Sequence, residues 1–66
     1  MPEVRVLIAD DQQLLRQSLA HLLDSQPGFR VVAEAATGVD AVSLTRELVP
    51  DVVLMDIRMP QLDGIA

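Results

Sequence analysis

Three aspartates carry the strongest chemical signal in this sequence. Asp10 and Asp11 close the apolar run VRVLIA (Val4 to Ala9), and Asp56 closes a second run, Val52-Val53-Leu54-Met55. Carboxylates gathered in a cleft repel one another unless a cation neutralises them. The chain has no Cys, and its one His, His21, is distant in sequence from both runs. Oxygen donors of this kind suit Mg²⁺ or a similar hard divalent ion better than zinc.

The elements that must position these residues are legible from periodicity. Val4 to Ala9 is nearly continuous in apolar and β-branched residues, the pattern of a strand buried on both faces of a parallel sheet. From Gln12 to Ser25 the period becomes helical, with Leu15, Leu19 and Leu22, and Leu23 beside them, forming the apolar face and Arg16, Gln17 and Asp24 pointing elsewhere. Asp11 or Gln12 starts this helix and Pro27-Gly28 stops it. Phe29 to Ala36 (FRVVAEAA) reads as a second strand, bounded by the turn signal Thr37-Gly38. A second helix runs from about Val39 to Leu48, with Ala41, Leu44 and Leu48 on one face, and ends before Pro50. Val52 to Met55 is a third buried strand, followed by a loop from Ile57 to Gly64.

The order β-α-β-α-β implies a parallel sheet with right-handed crossovers and helices on its faces. If the first strand lies between the other two, in the order 2-1-3, the helices cover opposite faces. The carboxyl ends of strands one and three then flank the crevice in which open α/β sheets place ligands. Asp10, Asp11 and Asp56 are expected at that crevice.

Composition narrows the function. With 66 residues, half of them hydrophobic, the chain can build a core, but a domain of this size sits near the lower limit of independent stability. Five Arg and no Lys face seven Asp and three Glu, a net charge of -5. No basic stripe exists to displace counterions from nucleic acid, so no nucleic-acid partner is expected for this segment. No apolar run approaches the roughly 20 residues of a membrane span, and the N-terminus lacks a signal-peptide pattern, so no membrane partner and a cytoplasmic location are expected.

An acidic pair ending the first strand (VLIADD), an Asp ending the third, and the stretch MDIRMPQLDG together resemble the receiver domain of two-component response regulators. Asp56-x-x-Met59-Pro60-x-x-Asp63-Gly64 lies 45 residues after Asp11 (56 minus 11) with β-α-β-α-β between. The wording of FRVVAEAATGVDAV and PDVVLMDIRMP is most similar to regulators of the NarL/FixJ type, which carry a LuxR-like helix-turn-helix after the receiver. The resemblance spans the whole chain and about the first half of the family's domain, so residues 1–66 would be its N-terminal part, strands one to three and helices one and two of a flavodoxin-like fold.

This resemblance implies that Asp56 is the phosphoacceptor, attacking the phosphoryl group of a phosphohistidine on a sensor histidine kinase. A carboxylate nucleophile giving an aspartyl phosphate is established chemistry. It further implies that Asp10, Asp11, Asp56 and the backbone carbonyl of Arg58 hold Mg²⁺, which offsets charge on the phosphoryl oxygens during in-line transfer. The family's Ser/Thr after the fourth strand and Lys after the fifth have no counterpart in these 66 residues, so phosphoryl transfer to this chain is expected to be impaired. The receiver would be a signalling module and not an enzyme.

Other readings compete. Asp10, Asp11 and Asp56 could be capping or loop residues. Asp63-Gly64 and Pro60 fit loop geometry better than chemistry. His21 is read as a structural or solvated residue, and Arg16 and Gln13 as solvated-face residues with a kinase contact as the alternative. A phosphohydrolase of the haloacid-dehalogenase type would need a second Asp two positions after its nucleophile, where this chain has Arg58. A non-signalling dimerisation module is the remaining alternative. The strand 52–55 edge has no Lys or Pro to protect it, so a homo-oligomer through that edge, or by exchange of an element, is expected.

Overall fold

The computed structural model describes residues 3–55. In chain order these form β1 (Val4–Ala9), α1 (Gln13–Asp24), β2 (Phe29–Ala35), α2 (Gly38–Leu48) and β3 (Val52–Met55). Helix and strand limits agree with the sequence reading to within one residue at each end. The sheet order is β2-β1-β3, both pairs parallel. This is the order 2-1-3 of the flavodoxin-like topology.

Strand β1 is central because its sequence lets it be buried on both sides. Val6 and Ile8 face α1 and pack with Ala20, Leu19, Leu23 and Val31. Leu7 and Ala9 face the other way, against Ala35 and Ala41 with Leu44, Val53 and Met55. The two helices therefore cover opposite faces, as the order requires. Leu7 and Ile8 are the largest fully buried side chains, each stabilising the fold by about 1.5–3 kcal/mol relative to exposure.

Two details depart from the sequence reading. The inward stripe of α1 is Arg16, Leu19, Ala20 and Leu23, whereas Leu15 and Leu22 remain 42% and 56% exposed. The helix is rotated because Arg16 and Asp24 both bond toward β2, Asp24 accepting from the Val31 N–H and Arg16 donating to Glu34. Residues 15 and 22 lie about 100° around the helix on the opposite flank. Strand β3 is also not buried on both faces. Val53 and Met55 pack under α2, but Val52 and Leu54, aligned with Val6 and Ile8 on the α1 side, are 40% and 41% exposed. Helix α1 packs on β2 and β1, away from that edge of the sheet.

The β1/β2 register slips by one residue, pairing Val6 with Val31 but Leu7 with Ala33 and leaving Val32 unpaired. Such a bulge re-aims the residues beyond it. Here it returns Glu34 to the α1 face, opposite Ile8, while Ala33 and Ala35 face α2.

The ends of α2 are set differently. At its start the Thr37 hydroxyl accepts from the Asp40 N–H at 3.1 Å, and Asp40 adds negative charge in the first turn. At its end Val49 takes a left-handed conformation, φ 47°, immediately before Pro50. That geometry is unfavourable for a β-branched residue. It is held by Arg5, whose Nη1 donates to the Val49 carbonyl at 3.0 Å and whose backbone exchanges bonds with Asp51. Thr37→Ala is expected to destabilise the fold by about 1 kcal/mol, the usual worth of an N-cap hydroxyl. Thermal or urea unfolding checks it, with Thr37→Ser as the variant that retains the bond.

Candidate functional site

The candidate site is built where β1 gives way to α1. Burial of β1 on both faces fixes its exit, and the next two residues are the acidic pair. Asp10 is only 6% exposed, an unusual environment for a carboxylate. It is held by three hydrogen bonds: its N–H donates to the Ala35 carbonyl at 3.0 Å, its carbonyl accepts from Arg16 Nη1 at 2.9 Å, and its Oδ1 accepts from the Gln12 N–H at 2.8 Å. The last bond satisfies one of the open donors where α1 begins, a role the Gln12 side chain does not take. Asp11, one residue on, is exposed at the apex of the turn.

Across the switch point, Ala9 is the register partner of Met55, as Ile8 is of Leu54. The residues that precede Asp10 and Asp56 therefore sit side by side at the carboxyl ends of adjacent parallel strands. Asp56 and Arg58 themselves lie outside the described residues. Among the described residues no three acidic or imidazole side chains converge on a point that could hold a metal ion. The donors that Asp10 and Asp11 offer are oxygen alone, a chemistry that fits Mg²⁺ better than zinc.

His21 is exposed on α1, beside Gln17, Asp24, Val31 and Glu34, and away from the acidic pair. Gln13 is exposed. Arg16 is not a solvated-face residue: its side chain is 13% exposed, and its Nε donates to Glu34 Oε1 at 3.2 Å while its Nη1 reaches Asp10. The sequence singles out Arg16 but not its tie to Asp10 and Glu34, and it gives Glu34 no role. The spacing of Arg16 six residues after Asp10 carries no motif, and the bulge that brings Glu34 to it leaves no mark in the sequence.

An open, parallel α/β sheet with a helix on each face and carboxylates at the exit of its central strand, beside the topological switch point, defines the class of doubly wound module that binds ligands at strand carboxyl ends. Within that class, the chain belongs to the response regulator receiver domain family, whose model matches residues 6–66. Among curated proteins, it is 51% identical over 61 residues to a protein-glutamate methylesterase/protein-glutamine glutaminase of Anaeromyxobacter dehalogenans, covering 92% of this chain and 18% of that protein. It is 47% identical over 62 residues to the transcriptional regulatory protein LiaR of Bacillus subtilis, covering 94% of this chain and 29% of that protein. Among solved structures, the response regulator domain of Thermotoga maritima CheB superposes with a TM-score of 0.84 at 46% identity, over 88% of this chain and 43% of that one. A LuxR-family two-component response regulator from Aurantimonas sp. SI85-9A1 gives 0.82 at 36% identity, over 97% and 54%. The chain thus spans less than a third of those curated relatives and about half of those solved chains. No helix among the described residues is long and apolar enough to cross a membrane.

Proposed function

We propose that residues 1–66 are the N-terminal part of a receiver that accepts a phosphoryl group from a sensor histidine kinase on Asp56, in a cytoplasmic two-component system. The observation that carries this reading is the register of Met55 with Ala9. Met55 directly precedes Asp56 in the chain, as Ala9 precedes Asp10, so the residues that lead into the proposed nucleophile and into the acidic pair are side by side. Asp10, Asp11, Asp56 and the Arg58 carbonyl would hold Mg²⁺, whose contribution when bound is to offset charge on the phosphoryl oxygens. In the step itself an Asp56 carboxylate oxygen forms the bond to phosphorus, the bond from phosphorus to the donor nitrogen breaks, and that electron pair returns to the donor imidazole.

For the output, we propose a LuxR-type transcription regulator as the parent, supported by the motif wording and by the likeness to LiaR and to the LuxR-family structure. The methylesterase relatives match over the same stretch, so an enzymatic output is the second reading. The receiver segment itself is not an enzyme.

Incubation with acetyl phosphate and Mg²⁺, followed by intact-mass measurement, is the test. The 66-residue chain is expected to gain one phosphoryl group slowly, because each absent preorganised donor to the phosphoryl oxygens is worth about 100- to 1000-fold in rate. Asp56→Asn should abolish the gain. Undiminished labelling of the Asn variant would refute the assignment of Asp56.

A further inference from the structure

We propose that Arg16 is a positioning residue for the acidic pair and that Glu34 cancels its charge, a proposal that rests on the metal reading above. Arg16 grips the main chain of Asp10 through Nη1 and the carboxylate of Glu34 through Nε. With Asp10 N–H bound to Ala35 and its Oδ1 to Gln12, the guanidinium completes the restraint of the turn from which Asp10 and Asp11 project. Loss of the Arg16 bond frees that turn on its α1 side.

An arginine beside a cation site is counterproductive unless its charge is neutralised. Glu34 does this through a charge-assisted hydrogen bond, and the bulge at Val32 is what carries Glu34 to the α1 face. A partly exposed ion pair adds little to stability. What the pair supplies is a fixed main chain without net positive charge near the carboxylates. The fork of a guanidinium can span a carbonyl and a carboxylate together, which an ammonium does not reproduce.

Charge and position predict opposite results, which makes the proposal testable. If Arg16 acted only through charge, Arg16→Gln would leave Glu34 unpaired and Mg²⁺ would bind more tightly. If it acted only on stability, the unfolding midpoint would move and the Mg²⁺ affinity of the folded chain would not. Positioning predicts that affinity falls about tenfold, as for other residues that orient ligands. The measurement is a Mg²⁺ titration of the full chain, read from the amide NMR shifts of Asp10, Asp11 and Gln12. Arg16→Lys keeps the charge, serves if the Gln variant does not fold, and is expected to weaken binding comparably. Glu34→Gln retains the tether but exposes the positive charge. Its loss of affinity should be smaller, about threefold, and should shrink as salt screens the repulsion. Unchanged or tighter Mg²⁺ binding in the Arg16 variants overturns the proposal. If the wild-type chain shows no Mg²⁺ response, the metal reading fails, and the metal-free spectra decide the positioning. Arg16→Gln should then shift the Asp10 to Gln12 amides and speed their hydrogen exchange, with Glu34→Gln leaving them in place; the absence of that difference refutes the role.

Discussion

Asn in place of Asp11 is expected to lower Mg²⁺ affinity by about 100-fold, whereas Asn in place of Asp10 lowers it only about tenfold, although the two residues are adjacent. The difference follows from how each carboxylate is held. Asp11 stands exposed at the apex of the turn, so both of its oxygens can turn toward a cation. Asp10 is buried, and its Oδ1 is already committed to the Gln12 N–H that opens α1. A carboxylate engaged in this way orients the turn and adds charge, and Asn can still accept the same N–H. Changes to residues that orient a ligand cost 10- to 100-fold in metal affinity, and loss of a ligand itself lies at or beyond the upper end. Stability should separate the pair in the opposite sense. A buried amide in place of the Asp10 carboxylate weakens a charge-assisted cap, by about 1 kcal/mol, while Asp11→Asn at an exposed apex changes little. Calorimetric or NMR titration with Mg²⁺, combined with thermal unfolding, reads both effects. Equal losses of affinity at the two positions would contradict the division of labour.

What the sequence conveyed and what it withheld divide along physical lines. The strand and helix ranges, their order and the parallel sheet follow from the period of apolar residues. So does the central place of β1, because VRVLIA has no polar face to give to water. The acidic pair was legible for the same reason: a doubly buried strand must end where two aspartates begin. The orientation of α1 was not legible. Its leucines at 14, 15, 19, 22 and 23 wrap so much of the helix that several apolar faces fit the pattern. The bonds of Arg16 and Asp24 to β2 then decide which face turns inward. Glu34 was hidden by the slip at Val32, since strict alternation along FRVVAEA places residue 34 on the face opposite Val31. The distinction between Asp10 and Asp11 was withheld as well, because it arises from hydrogen bonds to Ala35, Gln12 and Arg16 that only the assembled sheet edge brings into place.

The 66-residue chain, taken alone in solution, is expected to self-associate through β3. Among the described residues this strand pairs on one side only, with β1, and its other edge presents open backbone donors and acceptors without a Lys or Pro to deter a neighbour. The apolar surface beside that edge reinforces the pairing. Val52 and Leu54 stand two-fifths exposed on the α1 side of the sheet, and the flank of α1 turned away from β2 carries the exposed Leu15 and Leu22. A two-fold axis perpendicular to the sheet would pair β3 with its copy antiparallel, extending the sheet to six strands. Such an axis keeps both α1 faces on the same side, so the two apolar troughs adjoin and cover each other. Completing the burial of a two-fifths exposed Leu54 is worth about 1 kcal/mol per protomer, or about 2 kcal/mol for the pair. That corresponds to about 30-fold in the dimer dissociation constant. Leu54→Lys should therefore shift dissociation by at least this factor, because it also places a charge on each side of the joined edge. Thr37→Ala, on the opposite face, should leave the assembly constant unchanged once allowance is made for the unfolded fraction. Sedimentation equilibrium across micromolar concentrations distinguishes the outcomes. A folded species of monomer mass at every concentration would refute association. An assembly insensitive to Leu54→Lys would move the contact away from the β3 edge and toward exchange of an element between protomers.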